Sequence, residues 1–142
     1  MQKDTNILIE EAIDGVSGAP DNYGEMNNLL SQLKEAQQMV SDLELRINHI
    51  VEQIIASLGA EVRNRQPGVE VGLRNGNAHC GYRSRSIVCK PDIHNGTWNI
   101  SGTPFAKTFV KRYPHLSKMG SDVKPLAHAI ADFFTERYRT LR

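Results

Sequence analysis

Apolar residues recur every three to four positions between residues 25 and 58, and this spacing predicts one long helix. They fill the a and d positions of a heptad that starts at Met26, and nine of the ten positions are apolar. No Gly or Pro interrupts the run, and Gly59 is a suitable residue to end it. The predicted seam consists of Met26, Leu29, Leu33, Ala36, Val40, Leu43, Ile47, Ile50 and Ile54, with Ser57 as the polar exception. A heptad sustained over more than four repeats is typical of a coiled coil.

The residues along and beside the seam bear on how many helices it joins. Val40 and Ile47 at a, with Leu43 at d, favour a parallel dimer. The flanking positions widen the apolar stripe, and none of the parallel g-to-e pairs is a salt bridge. This favours three or four helices, or a helix whose far end packs on its own head domain. A helix folded back on residues 5–16 of the same chain is the alternative. We expect a homo-oligomer, from dimer to tetramer, formed through residues 25–58.

The segment before this helix has its own pattern. Residues 5–14 show apolar positions on one helical face, which predicts a short helix, and residues 16–24 are rich in turn formers, which predicts a loop. We therefore interpret residues 1–60 as a helical oligomerisation segment. It contains the short helix, the loop and the heptad helix.

After Gly68 the apolar residues recur at every second position, which predicts β-strands. Two Asn-Gly turns, at Asn75-Gly76 and Asn95-Gly96, separate the β-patterned runs. The expected strands lie around 69–73, 78–90 and 97–101, with Trp98 and Ile100 on one face of the third. The pattern predicts a three-stranded antiparallel meander.

Two helices are expected to complete the chain. Thr103-Pro104 is typical of an N-cap followed by proline in the first turn, and Phe105, Phe109 and Tyr113 share a face. The last helix should start between Ser121 and Pro125. Its apolar face consists of Leu126, Ile130, Phe133, Phe134 and Leu141. The predicted fold class is α+β: a long coiled-coil-like helix, then a head domain over residues 61–142 that holds the meander and two C-terminal helices.

A net charge of +1 conceals an uneven distribution. Residues 1–60 contain ten acidic and three basic residues, a net charge of −7, whereas residues 61–142 contain six acidic and fourteen basic residues, a net charge of +8. Such a split is typical of an acidic assembly segment joined to a basic contact segment. The alternative is that the two halves neutralise each other within an oligomer.

The basic residues of the head are the main candidates for binding. Arg83 and Arg85 alternate on the predicted second strand, so they should share a sheet face, and Lys107 and Lys111 should share a helix face. A further group lies at the C-terminus: Arg137, Arg139 and Arg142. Clusters of this kind neutralise phosphates. The candidate nucleic-acid or polyanion-binding residues are Arg74, Arg83, Arg85, Lys107, Lys111, Arg112 and Lys118. A solvated basic face is the alternative.

The sequence gives little support for a metal-binding, catalytic or nucleotide-binding site. His79, Cys80, Cys89 and His94 offer metal-binding atoms, but the spacing C-x8-C-x4-H lacks the close Cys pair of a zinc site. Nucleophile elbows and phosphate loops are missing from the sequence, and the head domain has no paired carboxylates. We predict no catalytic residue, metal or cofactor. Trp98 and Tyr82 could stack on bases, although core positions are expected for both.

Few cysteines, no signal-like N-terminal stretch and no long apolar run predict a cytoplasmic protein without a membrane segment. The predicted function is that of a non-enzymatic, oligomeric binding module whose basic head contacts nucleic acid or another polyanion. The alternative is a structural or assembly protein, of phage type or accessory, whose head contacts protein partners, including an acidic one. A three-stranded sheet followed by a helix resembles, in outline, some small DNA-binding modules that lay the sheet in the major groove, and also many proteins that bind no nucleic acid.

Overall fold

A computed structural model describes residues 20–141 of the chain. In that range the elements are α1 (Pro20–Arg65), β1 (Glu70–Arg74), β2 (Asn77–Tyr82), β3 (Arg85–Asp92), β4 (Thr97–Gly102), α2 (Pro104–Arg112) and α3 (Lys124–Arg137), with short 3-10 turns at Pro114–Ser117 and Arg139–Leu141. The chain clusters into two units, Met1–Arg46 and Ile47–Arg142, called here the first and second unit. The predicted helix over 5–14 and Arg142 lie outside the described residues. The α+β class is confirmed.

Helix α1 is longer than the heptad predicted at both ends. It begins at Pro20, so the last part of the predicted loop is helical, and it continues past Gly59 to Arg65. A proline fits the first turn of a helix because the N–H it lacks has no partner there. Gly59 does not end α1 as predicted. A Cβ atom at this position would lie 2.8 Å from Cγ1 of Val71, so the glycine allows the helix to approach β1 closely.

The sheet has four strands in the order β1-β2-β3-β4, all antiparallel, and the predicted count of three was wrong. The predicted strand over 78–90 is two strands, joined by Arg83-Ser84, with Tyr82 paired to Arg85. Arg83 adopts a left-handed conformation with φ of 57°, which makes the tight reversal possible without glycine. The Asn75-Gly76 turn is confirmed, with positive φ at both residues.

A single hydrophobic core lies between the sheet and the helices of the second unit. Residues Ile55, Leu58 and Val62 of α1 are buried at helical spacing, as is the predicted apolar face of α3 around Phe133 and Phe134. The buried strand residues are Ala78, Cys80, Ile87, Cys89, Pro91 and Trp98. The last turns of α1 therefore belong to the core of the second unit.

Polar contacts fix the helices to one another and to the sheet. The guanidinium of Arg65 donates to both carboxylate oxygens of Asp132 on α3, at 2.8 and 3.0 Å. Thr103, at the predicted N-cap of α2, uses its hydroxyl to bond the backbone N–H and C=O of Ser86 instead of capping the helix. These bonds set the start of α2 against β3.

The sheet has one covered and one open face. Because paired residues share a face, Cys80 and Ile87 lie towards the helices, whereas His79, Val88 and Ser101 lie on the other side. No strand residue on that other side is buried. Among residues 20–141, no helix combines the length and the apolar character needed to cross a membrane.

Candidate polyanion-binding surface

Arg83, in the turn between β2 and β3, and Arg85, at the start of β3, lie against aromatic rings. The guanidinium carbon of Arg83 is 5.4 Å from the ring centre of Tyr82, and that of Arg85 is 5.9 Å from the ring centre of Phe105. Both arginines are exposed. The prediction that they alternate along one strand is corrected, since Arg83 lies in the turn and Arg85 begins β3.

The C-terminal turn brings a third arginine to this end of the sheet. The ring of Tyr82 packs edge-on against Tyr138, with centroids 4.8 Å apart, and its hydroxyl lies 2.5 Å from that of Thr140. Arg139, between these two residues, is exposed. We call Arg83, Arg85 and Arg139 the arginine cluster. The sequence had placed Arg139 in a separate group because nothing local shows that the chain returns to β2.

Helix α2 presents its lysines to solvent. Phe105, Ala106 and Phe109 are buried, while Lys107 and Lys111 lie on the exposed side, as predicted. Arg112 differs from them. It forms two hydrogen bonds to the carboxylate of Glu136, which raises the pKa of the guanidinium and neutralises its charge locally. Lys107 and Lys111 are therefore better candidates for a phosphate ligand than Arg112.

Two of the predicted binding residues lie elsewhere. Arg74 is the last residue of β1 and precedes the Asn75-Gly76 turn, at the opposite end of the sheet from Arg83. Lys118 pairs with Thr97 at the start of β4, which is also at that opposite end. The structure therefore brings together only part of the predicted set.

The open face of the sheet carries polar residues that the sequence analysis did not single out. In register, Lys90 pairs with Asn99, Val88 with Ser101, and Arg74 with Asn77. In β3, Lys90 alternates with Ile87 and Cys89, and this alternation indicates that Lys90 lies on the other face of the sheet. The alternation is hard to recognise in the sequence because the apolar run of β3 is continuous. None of the strand residues on this face is Phe, Tyr or Trp.

The predicted stacking residues are occupied inside the protein. Trp98 is 5% exposed and belongs to the core, and Tyr82 packs against Tyr138. Bases of a single strand therefore find no aromatic platform on the open face of the sheet. An interaction with the phosphate backbone needs only the exposed cations.

Five of the seven acidic residues of the second unit make local polar contacts, Glu61 with His128 among them, and the other two, Glu52 and Glu70, are exposed. Asp132 and Glu136 bind Arg65 and Arg112. Asp92 accepts hydrogen bonds from the side chain and backbone of Asn95, which lower the pKa of its carboxyl group, and Asp122 accepts from the backbone N–H of Lys124. Within residues 22–141, the only Lys or Arg side chains in salt bridges are Arg65 and Arg112. The arginine cluster and the α2 lysines thus keep their positive charge uncompensated.

The cysteines are buried thiols of the core. Cys80 and Cys89 are both fully buried. Burial raises the pKa of Cys80 to about 12 and that of Cys89 well above its usual value, so neither is a thiolate at neutral pH. In the part of the chain that is described, no cluster of three His, Cys, Asp or Glu residues is arranged to hold a metal ion.

The heptad seam of α1 is largely uncovered. Leu29 is 53% exposed, Val40 54% and Ile50 51%, although all three are large apolar side chains. Ile54, one layer further on, packs against the core of the second unit. The seam residues from Leu29 to Ile50 are thus exposed, whereas Met26 is half-buried and Ile54 packs against the core.

Neither a protein-family model, nor a curated protein, nor a solved structure matches this chain.

Proposed function

We propose that the protein is a non-enzymatic, oligomeric binding module in which α1 joins copies and the second unit contacts nucleic acid. The proposal rests on a difference between the acidic and the basic side chains of the second unit in how many have a partner of opposite charge. Among the described residues of the second unit, Asp132 and Glu136 pair with Arg65 and Arg112, whereas Arg83, Arg85, Lys107 and Lys111 are exposed without an acidic partner. Surplus cations of this kind bind phosphates and release counterions.

The arrangement favours a double-stranded nucleic acid over a single strand. Single-strand binding without sequence preference relies on bases stacked on aromatic side chains. Here Trp98 is buried and Tyr82 is packed against Tyr138. A duplex presents its phosphates outward, and contacts to them carry no sequence information. We expect affinity that depends strongly on salt and weakly on sequence.

Arginine and lysine have different roles in this scheme. The guanidinium groups of Arg83 and Arg85 are held over aromatic rings, which restricts their motion and leaves their edges available for a phosphate. Lys107 and Lys111 are flexible point charges on one side of α2. Each domain would bind weakly by itself, and joining two or more through α1 would raise the overall affinity.

A structural or assembly role is the second candidate, and the uncovered seam of α1 favours it. In that case the basic surface would meet the acidic half of a neighbouring copy or another acidic protein. The same side chains would then contribute to assembly, and nucleic acid would not bind at physiological salt.

Titration of fluorescent duplex DNA at two salt concentrations tests the proposal. The variant Lys107→Glu, Lys111→Glu removes two phosphate contacts, so the log–log salt slope should fall by about 1.8 and affinity should drop at least tenfold. The matched control is Lys34→Glu, Lys124→Glu, which has the same net charge with the changes on α1 and α3. It should lose much less affinity.

Three results would decide against nucleic-acid binding. The first is no binding by the wild-type chain even at low salt. The second is an equal loss in the test and control variants, which would indicate a response to net charge alone. The third is an unchanged DNA affinity in the test variant together with altered sedimentation, which would favour the assembly role.

A further inference from the structure

The 3-10 turn Arg139–Leu141 is bound to two segments of the second unit that are distant from it in the sequence. The side-chain amide of Gln66, directly after α1, donates to the backbone C=O of Leu141 at 2.8 Å. On the other side of the turn, the hydroxyl of Tyr82 in β2 lies 2.5 Å from the hydroxyl of Thr140. Two of the three residues of the turn therefore have fixed partners.

Apolar packing adds to these polar contacts. Leu141 is half-buried and packs against the hydrophobic core. A Cβ atom at Gly68 would overlap Cδ2 of Leu141, so the glycine leaves the space that this side chain occupies. The position of the turn is thus set by packing as well as by hydrogen bonds.

Arg139 is the remaining residue of the turn, and it is exposed. Among the residues that the structure describes, no carboxylate forms a salt bridge with it. The turn is therefore bound to the protein through Thr140 and Leu141, and its one charged residue faces solvent.

Three aromatic rings connect the members of the arginine cluster. The ring of Tyr138 lies 4.8 Å from that of Tyr82 and 6.2 Å from that of Phe105, measured between ring centres. Arg83 lies over the ring of Tyr82, and Arg85 lies over the ring of Phe105. The third arginine of the cluster follows Tyr138, the ring that contacts both of the others. The turn thus adds a cation beside the two that belong to the sheet.

We propose that Arg139 contacts a phosphate of the same nucleic acid as Arg83, and that Thr140 and Gln66 are positioning residues for it. The inference rests on the proposed function and adds a binding residue with its supports. A guanidinium suits this role because it forms two parallel hydrogen bonds to one phosphate.

The hydroxyl of Tyr82 supports the placement of the turn beside the cluster. Its contact with Thr140 lowers the pKa of this hydroxyl, partial burial opposes the shift, and the guanidinium of Arg83 adds to it. One hydroxyl therefore lies close both to the turn and to an arginine of the sheet.

A fixed turn should strengthen binding because a long side chain loses conformational freedom when it binds a phosphate. If the backbone that carries the side chain is already in place, less freedom is lost and more of the interaction energy remains. Thr140 touches no ligand in this scheme. Its effect on affinity passes through Arg139, so removal of the arginine should also remove the effect of Thr140.

Fluorescence anisotropy of the full-length chain with duplex DNA, at two salt concentrations, tests the contact. Arg139→Gln removes one phosphate contact, so the log–log salt slope should fall by about 0.9 and the affinity by about three- to tenfold. The matched control is Lys124→Gln, which removes one positive charge at the start of α3. A loss in Arg139→Gln no larger than in this control, or an unchanged salt slope, would overturn the contact.

A double-mutant cycle tests the positioning role. Thr140→Val removes the hydroxyl with little change of shape and should weaken binding about two- to fivefold, whereas in the Arg139→Gln background it should have almost no effect. Thr140→Ser keeps the hydroxyl and should restore the affinity. Gln66→Ala reaches the turn from its other side and should show the same dependence on Arg139. Equal losses from Thr140→Val in both backgrounds would overturn the positioning role.

The outcomes separate this inference from the proposed function. A wild-type chain that does not bind duplex DNA even at low salt would overturn both. If Lys107→Glu, Lys111→Glu loses affinity as expected while Arg139→Gln behaves like Lys124→Gln, the proposed function stands and only the role of the turn is wrong.

Discussion

Gly102 passes so close to Ser86 that a Cβ atom at Gly102 would lie 2.6 Å from the Ser86 carbonyl oxygen. The glycine also has φ of 131°, which side chains rarely adopt. It is the last residue of β4, paired with Ile87, and leads directly into Thr103 and α2. The contact therefore fixes how α2, with Lys107 and Lys111, joins the sheet.

Gly102→Ala should lower the free energy of unfolding by about 3 kcal/mol, because backbone strain and a clash with a fixed carbonyl add together. Gly76→Ala separates the two effects. Gly76 has φ of 74° but open space around it, so only the strain remains and the loss should be about 1 kcal/mol. Gly24→Ala, in α1 with open space, should be neutral or stabilising. Urea denaturation of the three variants gives the comparison, and equal losses at Gly102 and Gly76 would show that the clash is relieved.

The local pattern of the sequence was sufficient for the hairpin at Asn75-Gly76, for β4 and for the faces of α2 and α3. It was not sufficient at Arg83-Ser84, where no Gly, Asn or Pro marks the turn and the strand alternation continues through it. Gly59 was misread for a related reason. The sequence alone does not distinguish a glycine that ends a helix from one that allows a neighbouring strand to pack closely. For Gly59 the distinction depends on the position of Val71 in β1.

The candidate site was predictable by residue type and only partly by location. Exposed Lys107 and Lys111 follow from helical periodicity, because the aromatic residues beside them define the buried face. The arginine cluster depends on a long-range contact, between Tyr82 and Thr140. The neutralisation of Arg112 by Glu136 depends on another, between α2 and α3. Contacts of this kind leave no local signal in one sequence.

The buried thiols should make the protein less stable in alkali. Cys80 has a pKa of about 12 in the folded chain against 9.0 for an ordinary thiol. Between these values the unfolded chain releases the proton and the folded chain keeps it, so the free energy of unfolding decreases as pH rises from 9. The slope for one thiol is at most about 1.4 kcal/mol per pH unit.

Cys80→Ala removes this titration and should flatten the decrease between pH 9 and 11, whatever it does to stability at pH 7. Urea melts of the wild-type chain and the variant at pH 7, 9, 10 and 11 measure the difference. Parallel curves would show that Cys80 is accessible to deprotonation in the folded protein. Its reaction with a thiol reagent at pH 8 should likewise be slow until denaturant is added.

The exposed seam of α1, from Leu29 to Ile50, should determine oligomerisation, and two leucines provide a matched test. Leu43 lies in the seam and Leu45 on the outer side of the same helix, and both are at least half exposed. Leu43→Asp would place a carboxylate in an apolar interface at a cost of several kcal/mol, so the variant should be monomeric. Leu45→Asp should remain oligomeric. Sedimentation equilibrium at micromolar concentration distinguishes them, and identical behaviour of the two variants would mean that the seam is not the interface.

Loss of oligomerisation should weaken nucleic-acid binding only where two second units can reach the same duplex. On a long duplex, Leu43→Asp should bind 10- to 100-fold more weakly than Leu45→Asp, because it loses the second, linked contact. On a duplex too short for two units, the two variants should bind equally. Lys107→Glu, Lys111→Glu should weaken binding to both lengths, since it removes phosphate contacts from every unit. Fluorescence anisotropy with both duplexes, beside circular dichroism to establish that Leu43→Asp keeps its second unit folded, measures these effects. A Leu43→Asp variant that is monomeric, folded and unchanged on the long duplex would show that binding needs one unit only, and α1 would then have a role in assembly that is separate from binding.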